Sequence, residues 1–289
     1  MIRKTLLIGA AAFGVIAAPL AAHNAWLLPS TTVLSDTGQY VTVDMGASTA
    51  PFEADHAALP AENVKVWAPD GTMGTLENAA RLRYRSTFDV KIDKPGTWRI
   101  GMETGTITGS FKVDGETWTL GRRRGPPPAP GAAPGAAPAA PVRAIASIAE
   151  LPANATDLDL TEVSGRNEFF VTAGAPTETL FTPTGKGLEF VPETLPTDLV
   201  ADEPGRFRFL VDGQPVAGLE VEVVPGGRRY RSESGAQKLV TDAEGRVTIS
   251  WPGAGFYWLN TTITDERPTN DMATKRRMTY TATLEVLAP

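Results

Sequence analysis

The chain has 289 residues, of which 42% are hydrophobic and 21% are charged, so it holds enough apolar material for one or two folded domains. Its formal net charge of −6 makes it a poor candidate for binding nucleic acid or an anionic membrane surface. The absence of cysteine excludes disulfides, thiolate metal sites and a lipid-anchored cysteine.

Residues 1–22 are predicted to form a secretory signal peptide. Two basic residues precede an uncharged apolar run that ends at Pro19 and is too short to span a bilayer as a permanent helix. Because this proline disfavours cleavage at the nearer alanines, we expect the cut after Ala22 and a mature chain that begins at His23. The leader carries two of the 27 basic residues and none of the 33 acidic ones, so its removal gives a net charge of −8. We expect a soluble protein of the bacterial periplasm.

A histidine at the start of a mature chain is a chelating group. The free α-amine and the ring Nδ1 of His23 can close one chelate on a metal ion, and a second histidine can complete a plane of three nitrogen ligands. This arrangement, called a histidine brace, suits Cu(II), which favours tetragonal nitrogen and oxygen ligation. The predicted cleavage site therefore makes His23 a candidate metal ligand.

The other histidine of the chain is His56, which stands beside Asp55 and near Glu53. These carboxylates are expected to supply an axial ligand or to orient the ring of His56. A second interpretation stays open, in which His23 is a by-product of processing and His56 is a solvated loop residue.

Residues 23–121 are predicted to form an N-terminal β-sandwich domain. Short alternating segments, such as 40–45 and 98–102, are separated by turn signals such as Lys94-Pro95-Gly96. Evenly spaced strands of this kind are typical of an antiparallel, immunoglobulin-like sandwich. No helical pattern of ten residues or more stands outside the leader.

The composition changes abruptly at residue 122. Three arginines lead into residues 125–141, which are all glycine, proline or alanine and cannot build a core. We therefore predict a Pro/Ala/Gly-rich disordered insertion or linker at 122–144, followed by a connecting segment at 145–175.

Residues 176–289 are predicted to form a C-terminal β-sandwich domain. Alternating segments at 206–211, 219–223 and 279–286 indicate strands with one buried face. The aromatic residues of this half are expected to pack in the core and across strands. The predicted fold class is thus all-β, with two antiparallel sandwich domains.

Several short motifs resemble the DUF4198 family. They are Ala22-His23, Trp26-Leu27-Leu28-Pro29, the segment from Gly185 to Pro192, the strand–turn–strand unit from Phe209 to Val223, and the turn from Thr241 to Arg246. The resemblance implies an exported all-β protein associated with the uptake of nickel, cobalt or another transition metal. Separately, His23 and His56 are similar to the copper ligands of lytic polysaccharide monooxygenases and of small periplasmic copper carriers.

Three functions are compatible with the sequence. The favoured one is a periplasmic protein that binds Cu(II), or else Ni(II) or Co(II), and exchanges it with an inner-membrane metal transporter or an outer-membrane receptor. The second is a copper-dependent oxygenase, which would need a flat aromatic surface around the metal. The third is a metal-free binding or scaffold module of an envelope transport system. Hydrolase, zinc-protease, nucleotide and dinucleotide motifs are missing from the sequence, which favours a protein that is not an enzyme.

Overall fold

The computed structural model describes residues 23–121 and 143–289. The predicted signal peptide lies outside these residues, as does the predicted linker except for Arg143 and Ala144. Within the described ranges the secondary structure is β-strand with four short 3-10 turns at Ala61–Asn63, Ile148–Glu150, Thr179–Phe181 and Arg228–Tyr230. No helix among the described residues is long and apolar enough to cross a membrane. The all-β prediction is confirmed.

Nine strands precede the linker. They are β1 (Asn24–Pro29), β2 (Val33–Leu34), β3 (Gln39–Ser48), β4 (Ala57–Ala58), β5 (Val64–Trp67), β6 (Leu76–Arg81), β7 (Ser86–Ile92), β8 (Gly96–Val113) and β9 (Glu116–Leu120).

Ten more strands lie in residues 143–289, and the first of them includes Arg143 and Ala144 of the predicted linker. They are β10 (Arg143–Ile145), β11 (Thr156–Ala173), β12 (Leu188–Pro192), β13 (Gly205–Val211), β14 (Gln214–Pro215), β15 (Glu220–Pro225), β16 (Gln237–Val240), β17 (Arg246–Ile249), β18 (Gly255–Asp265) and β19 (Lys275–Val286).

The N-terminal half is a sandwich. One sheet has the order β1-β3-β7-β6, and β4 pairs with β3. It packs against β5, β8 and the end of β11, which belong to a larger sheet. Every second residue of β3 points inward, because side chains alternate along a strand, and Val41, Val43 and Met45 are fully buried.

The C-terminal half has its own core, between a sheet of β12, β13, β14 and β17 and the part of the large sheet formed by β15, β18 and β19. Aromatic side chains fill much of this space. The rings of Phe190 and Tyr280 stack with their centroids 5.1 Å apart, and Phe207 and Phe209 are fully buried beside them. The prediction that the aromatic residues of this half serve packing agrees with this arrangement.

Strand β11 joins the two cores. The sequence places its residues in a connecting segment, but in the structure β11 pairs antiparallel with β8 and parallel with β19. Phe169 belongs to the N-terminal core and Phe170 to the C-terminal core, because successive side chains leave opposite faces of a strand. One sheet therefore runs through both predicted domains, and it includes parallel as well as antiparallel pairs.

Trp26 anchors β1 to the rest of the molecule. Its side chain is 1% exposed and packs with Val224 and Trp258 of the C-terminal half. The indole Nε1 of Trp26 donates to Ser48 Oγ at 2.7 Å, and Trp258 Nε1 donates to the carbonyl of Ala25 at 3.0 Å. These contacts fix the strand that begins directly after His23.

Candidate functional site

The strand register places His23 and His56 on either side of the end of β3. Ala25 of β1 and Ala57 of β4 both pair with Ala47, so the two short strands must lie on opposite edges of β3. His23 immediately precedes β1, and His56 immediately precedes β4. Neighbouring strands in a sheet are about 4.8 Å apart, so side chains from the two edges can reach each other across the strand end.

The two imidazole rings are in contact. Their centroids are 3.4 Å apart and their planes differ by 9°, which is a stacked arrangement. Both residues are exposed to solvent. The contact therefore lies outside the hydrophobic core, and core packing does not account for it.

The backbone of Thr49, just beyond β3, is held from both sides by the neighbours of the two histidines. Asn24 Nδ2 donates to the Thr49 carbonyl at 3.1 Å. The Thr49 amide donates to Asp55 Oδ1 at 3.2 Å. We call this pair of hydrogen bonds the Thr49 clamp. It ties the chain next to His23 and the chain next to His56 to one point.

The two candidate carboxylates have partners other than the rings. Asp55 accepts the Thr49 amide in the clamp. Glu53 Oε1 accepts the backbone amide of Arg229 at 2.9 Å, which connects the His56 loop to the 3-10 turn Arg228–Tyr230. Over residues 23–121 and 143–289, no three side chains of His, Cys, Asp or Glu form a group that could hold a metal ion. The structure thus brings together two of the four predicted residues.

The donor set nevertheless fits a site with three nitrogen ligands. Two imidazoles meet at the surface, and cleavage before His23 would add its α-amine at the same point. Because the two ring planes differ by only 9°, the nitrogen lone pairs, which lie in those planes, do not point at one common position. Because both rings are exposed, rotation about their side-chain bonds can turn the nitrogens toward one ion without disturbing the core.

A second polar cluster lies in the C-terminal half and has a different character. Arg276 is 5% exposed and donates to Asp212 and Asp265 through several charged hydrogen bonds. These bonds lower the pKa of Asp265 from 3.8 to about 2 and lower the pKa of Asp212, and they raise the pKa of Arg276. Its charges are paired with one another, so we assign this cluster to the stability of the fold.

Sequence reasoning identified the histidines but not the residues that position them. Neither Thr49 nor Asn24 belongs to a recognisable sequence motif, and their role depends on the pairing of β3 with β1. The turn around Arg229 is separated from Glu53 by most of the chain. A run of four residues with three arginines, Arg228 to Arg231, was the one local signal that this turn differs from its surroundings.

Comparisons with solved structures give weak likenesses. A DUF4785 family protein from Legionella pneumophila shares 8% identity, with 81% of this chain and 50% of that chain covered and a TM-score of 0.24. The D0-D1 domain of intimin shares 11% identity over 90% of this chain and 97% of that chain, with a TM-score of 0.21. FdeC, an Escherichia coli adhesin, shares 14% identity over 93% of this chain and 66% of that chain, with a TM-score of 0.21.

This chain thus spans half the length of the Legionella protein and about two thirds of the length of FdeC. No conclusion about this chain rests on similarities at TM-scores this low. No curated protein matches it. The sequence pattern of a domain of unknown function, DUF4198, matches residues 20–265, which is well over half of the chain. The protein therefore belongs to the DUF4198 family.

Proposed function

We propose that this protein is an exported transition-metal-binding protein that takes up Cu(II), or else Ni(II) or Co(II), and passes it on during metal uptake. One observation carries the proposal. The chain has only two histidines, and the fold brings their rings into contact at the surface, where the core does not require them.

The proposed ligands are nitrogen atoms. The His23 ring, the His56 ring and the α-amine that cleavage frees on His23 would hold the ion, and such a set favours Cu(II) among the divalent metals. Asp55 would act as a positioning residue, because its carboxylate fixes Thr49 next to both histidines. A second contact fixes the His56 loop, because Glu53 accepts a hydrogen bond from the Arg229 amide.

The proposed place of action is the periplasm, and the sequence of residues 1–22 supports it. An inner-membrane metal transporter or an outer-membrane receptor is the proposed partner that exchanges the ion. An exposed site suits such an exchange, because a partner can reach both imidazoles without opening the core.

The burial of Trp26 argues against the copper-dependent oxygenase. An enzyme that acts on a flat polymer needs an aromatic surface beside its metal, and Trp26 is the tryptophan nearest to His23 in the sequence. In the structure its indole is 1% exposed and packed against Trp258. It is therefore not part of a binding platform around the histidines.

The test is a Cu(II) titration of protein that begins at His23, by calorimetry in the presence of a competing chelator. We expect one ion per chain and a loss of affinity of about 100-fold in His56→Gln, because one of three nitrogen ligands is removed. Glu62→Gln is the matched control, since Glu62 is an exposed residue of the same half that is not part of the site. Equal affinity in the wild type and His56→Gln would rule out the proposed site.

A further inference from the structure

A cavity of about 520 Å³ lies between the N-terminal and C-terminal halves, beside the turn that holds Arg228–Tyr230. Its walls are mostly apolar and include Leu28, Phe52, Pro252 and Phe256. Small-molecule sites in proteins have volumes of roughly 300–1,000 Å³ and are mainly apolar with a few polar groups. The cavity matches this description in size and in lining.

One cationic side chain, Arg231, lines the cavity. Its guanidinium donates to the carbonyls of Gly226 at 2.5 Å, Pro225 at 2.8 Å and Ser234 at 3.1 Å. The Nε atom is buried and has no hydrogen-bond partner among the described residues. Carbonyl oxygens hold the guanidinium in place but do not neutralise its charge.

The surroundings of Arg231 leave this charge uncompensated. No acidic residue lines the cavity, and over the described ranges no carboxylate oxygen lies within 4.0 Å of the Arg231 guanidinium. The same turn carries Arg228 and Arg229. Glu53 accepts the Arg229 amide and lies 4.0 Å from Arg229 Nε, so its charge is paired with Arg229, and the other carboxylate of this segment, Glu233, is exposed. A local excess of positive charge in a protein of net charge −6 indicates an anionic ligand.

We propose that this cavity binds a small organic acid. Its apolar body would fill the space between Phe52, Pro252 and Phe256, and its carboxylate would lie against the guanidinium of Arg231. A charge-assisted bond between arginine and a carboxylate is stronger than a bond between neutral groups, and it gains further in partly desolvated surroundings. This site uses neither histidine and needs no metal ion, so it goes beyond the proposed function and does not depend on it.

The first test compares two probes of nearly equal shape in metal-free buffer. Calorimetry with 3-phenylpropionate should show saturable binding of one molecule per chain, and 3-phenylpropionamide should bind at least about tenfold more weakly, because it has no charge to offer Arg231. Equal affinity for the acid and the amide, or no saturable binding of the acid, would overturn the proposal.

Three variants test whether 3-phenylpropionate binds in this cavity, and the first two differ in which arginine is replaced. Arg231→Gln should weaken binding of 3-phenylpropionate by at least about tenfold, whereas Arg229→Gln should leave it within about twofold. The second variant removes the same charge from an exposed neighbour that does not line the cavity. Equal losses in the two arginine variants would show a general charge effect and would contradict the proposal.

Replacing Arg231 also removes its hydrogen bonds to the carbonyls of its own turn and can alter that turn. The third variant therefore leaves Arg231 in place. Ala254 lines the cavity and is exposed, so Ala254→Phe adds a ring there without disturbing the core. Binding of 3-phenylpropionate should fall by at least about tenfold in this variant while its thermal unfolding stays unchanged. Unaltered binding in folded Ala254→Phe would place the ligand elsewhere and overturn the proposal.

Discussion

The histidine pair and the Arg276 cluster are two polar arrangements that the same fold positions in different ways. Arg276 is buried and bonds directly to two carboxylates. His23 and His56 are exposed, touch only face to face, and are positioned through the backbone of Thr49. The first arrangement is held by its own charges, whereas the second is held by residues around it.

The comparison distinguishes polar groups that stabilise the native state from polar groups that the fold holds at the surface. A buried arginine that lost its carboxylates would destabilise the protein, so its partners are part of the stability of the native state. The two imidazoles contribute little to stability, because both are exposed. Variants should therefore lower the free energy of unfolding in one region and the affinity for metal in the other.

The largest expected effect on stability is that of Arg276→Met. Removing the guanidinium leaves Asp212 and Asp265 with the exposed Arg267 as their remaining cationic partner, and breaking a buried ion pair in this way costs about 3 kcal/mol. Urea denaturation measures the free energy of unfolding. The neighbouring Arg277→Met is the matched control, since Arg277 is exposed on the same strand and should change that free energy by less than about 0.5 kcal/mol. Similar losses in both variants would contradict the assigned role of Arg276.

The second effect is a pH dependence that Arg276→Met should weaken. The folded-state pKa of Asp265 is lowered from 3.8 to about 2 by its hydrogen bonds to Arg276, and the pKa of Asp212 is lowered for the same reason. A lowered pKa stabilises the folded protein above about pH 4, and this contribution is lost as the pH falls through about 2, below which the carboxylate is protonated in both states.

For Asp265 the contribution at neutral pH is at most about 2 kcal/mol, because solvent that reaches the carboxylate screens part of it. The difference in unfolding free energy between wild type and Arg276→Met should therefore shrink between pH 5 and pH 2, as followed by urea denaturation at each pH. A difference that stays constant across this range would mean that the aspartates are not stabilised by Arg276.

The third effect is that of Asp55→Ala, which breaks one half of the Thr49 clamp. We expect a loss of about 1 kcal/mol in unfolding free energy, the typical contribution of one hydrogen bond, and a fall in Cu(II) affinity of about tenfold. Asp93→Ala, at another exposed aspartate of the same half, should change neither quantity. A tenfold fall in both variants would point to loss of surface charge rather than loss of the clamp.

The smallest expected effect on stability is that of His56→Gln. Because the ring is exposed, its unfolding free energy should stay within about 0.5 kcal/mol of the wild type, by urea denaturation without added metal. A loss as large as that of Arg276→Met would show that the histidine pair belongs to the structure of the protein rather than to a surface site.

The sequence predicted many of the longer strands because alternation and turn residues are local signals. The segments around Val41, Ile100 and Phe207 lie in β3, β8 and β13 as expected. Strand β11 was not predicted, although Phe169 and Phe170 are buried on its two faces. A strand with both faces covered near its end does not alternate between apolar and polar residues, so the periodicity that identifies the other strands is absent there.

The site could be predicted only in part, for a related reason. His23 and His56 were identified from cleavage chemistry and from their rarity, both of which are properties of single residues. Their contact depends on the pairing of β1 and β4 with opposite edges of β3, which no local pattern encodes. The cavity at Arg231 was not predicted, because its walls come from four separate segments of the sequence.

In the proposed site, the free amine of His23 binds the same ion as the two rings. The most direct measurement is a Cu(II) titration of protein that begins at His23 beside protein with one extra residue before it. We expect one tightly bound ion per chain in the first form and a fall in affinity of at least about 100-fold in the second, because the extension turns the amine into a peptide nitrogen. Equal affinity in both forms would show that the amine is not a ligand.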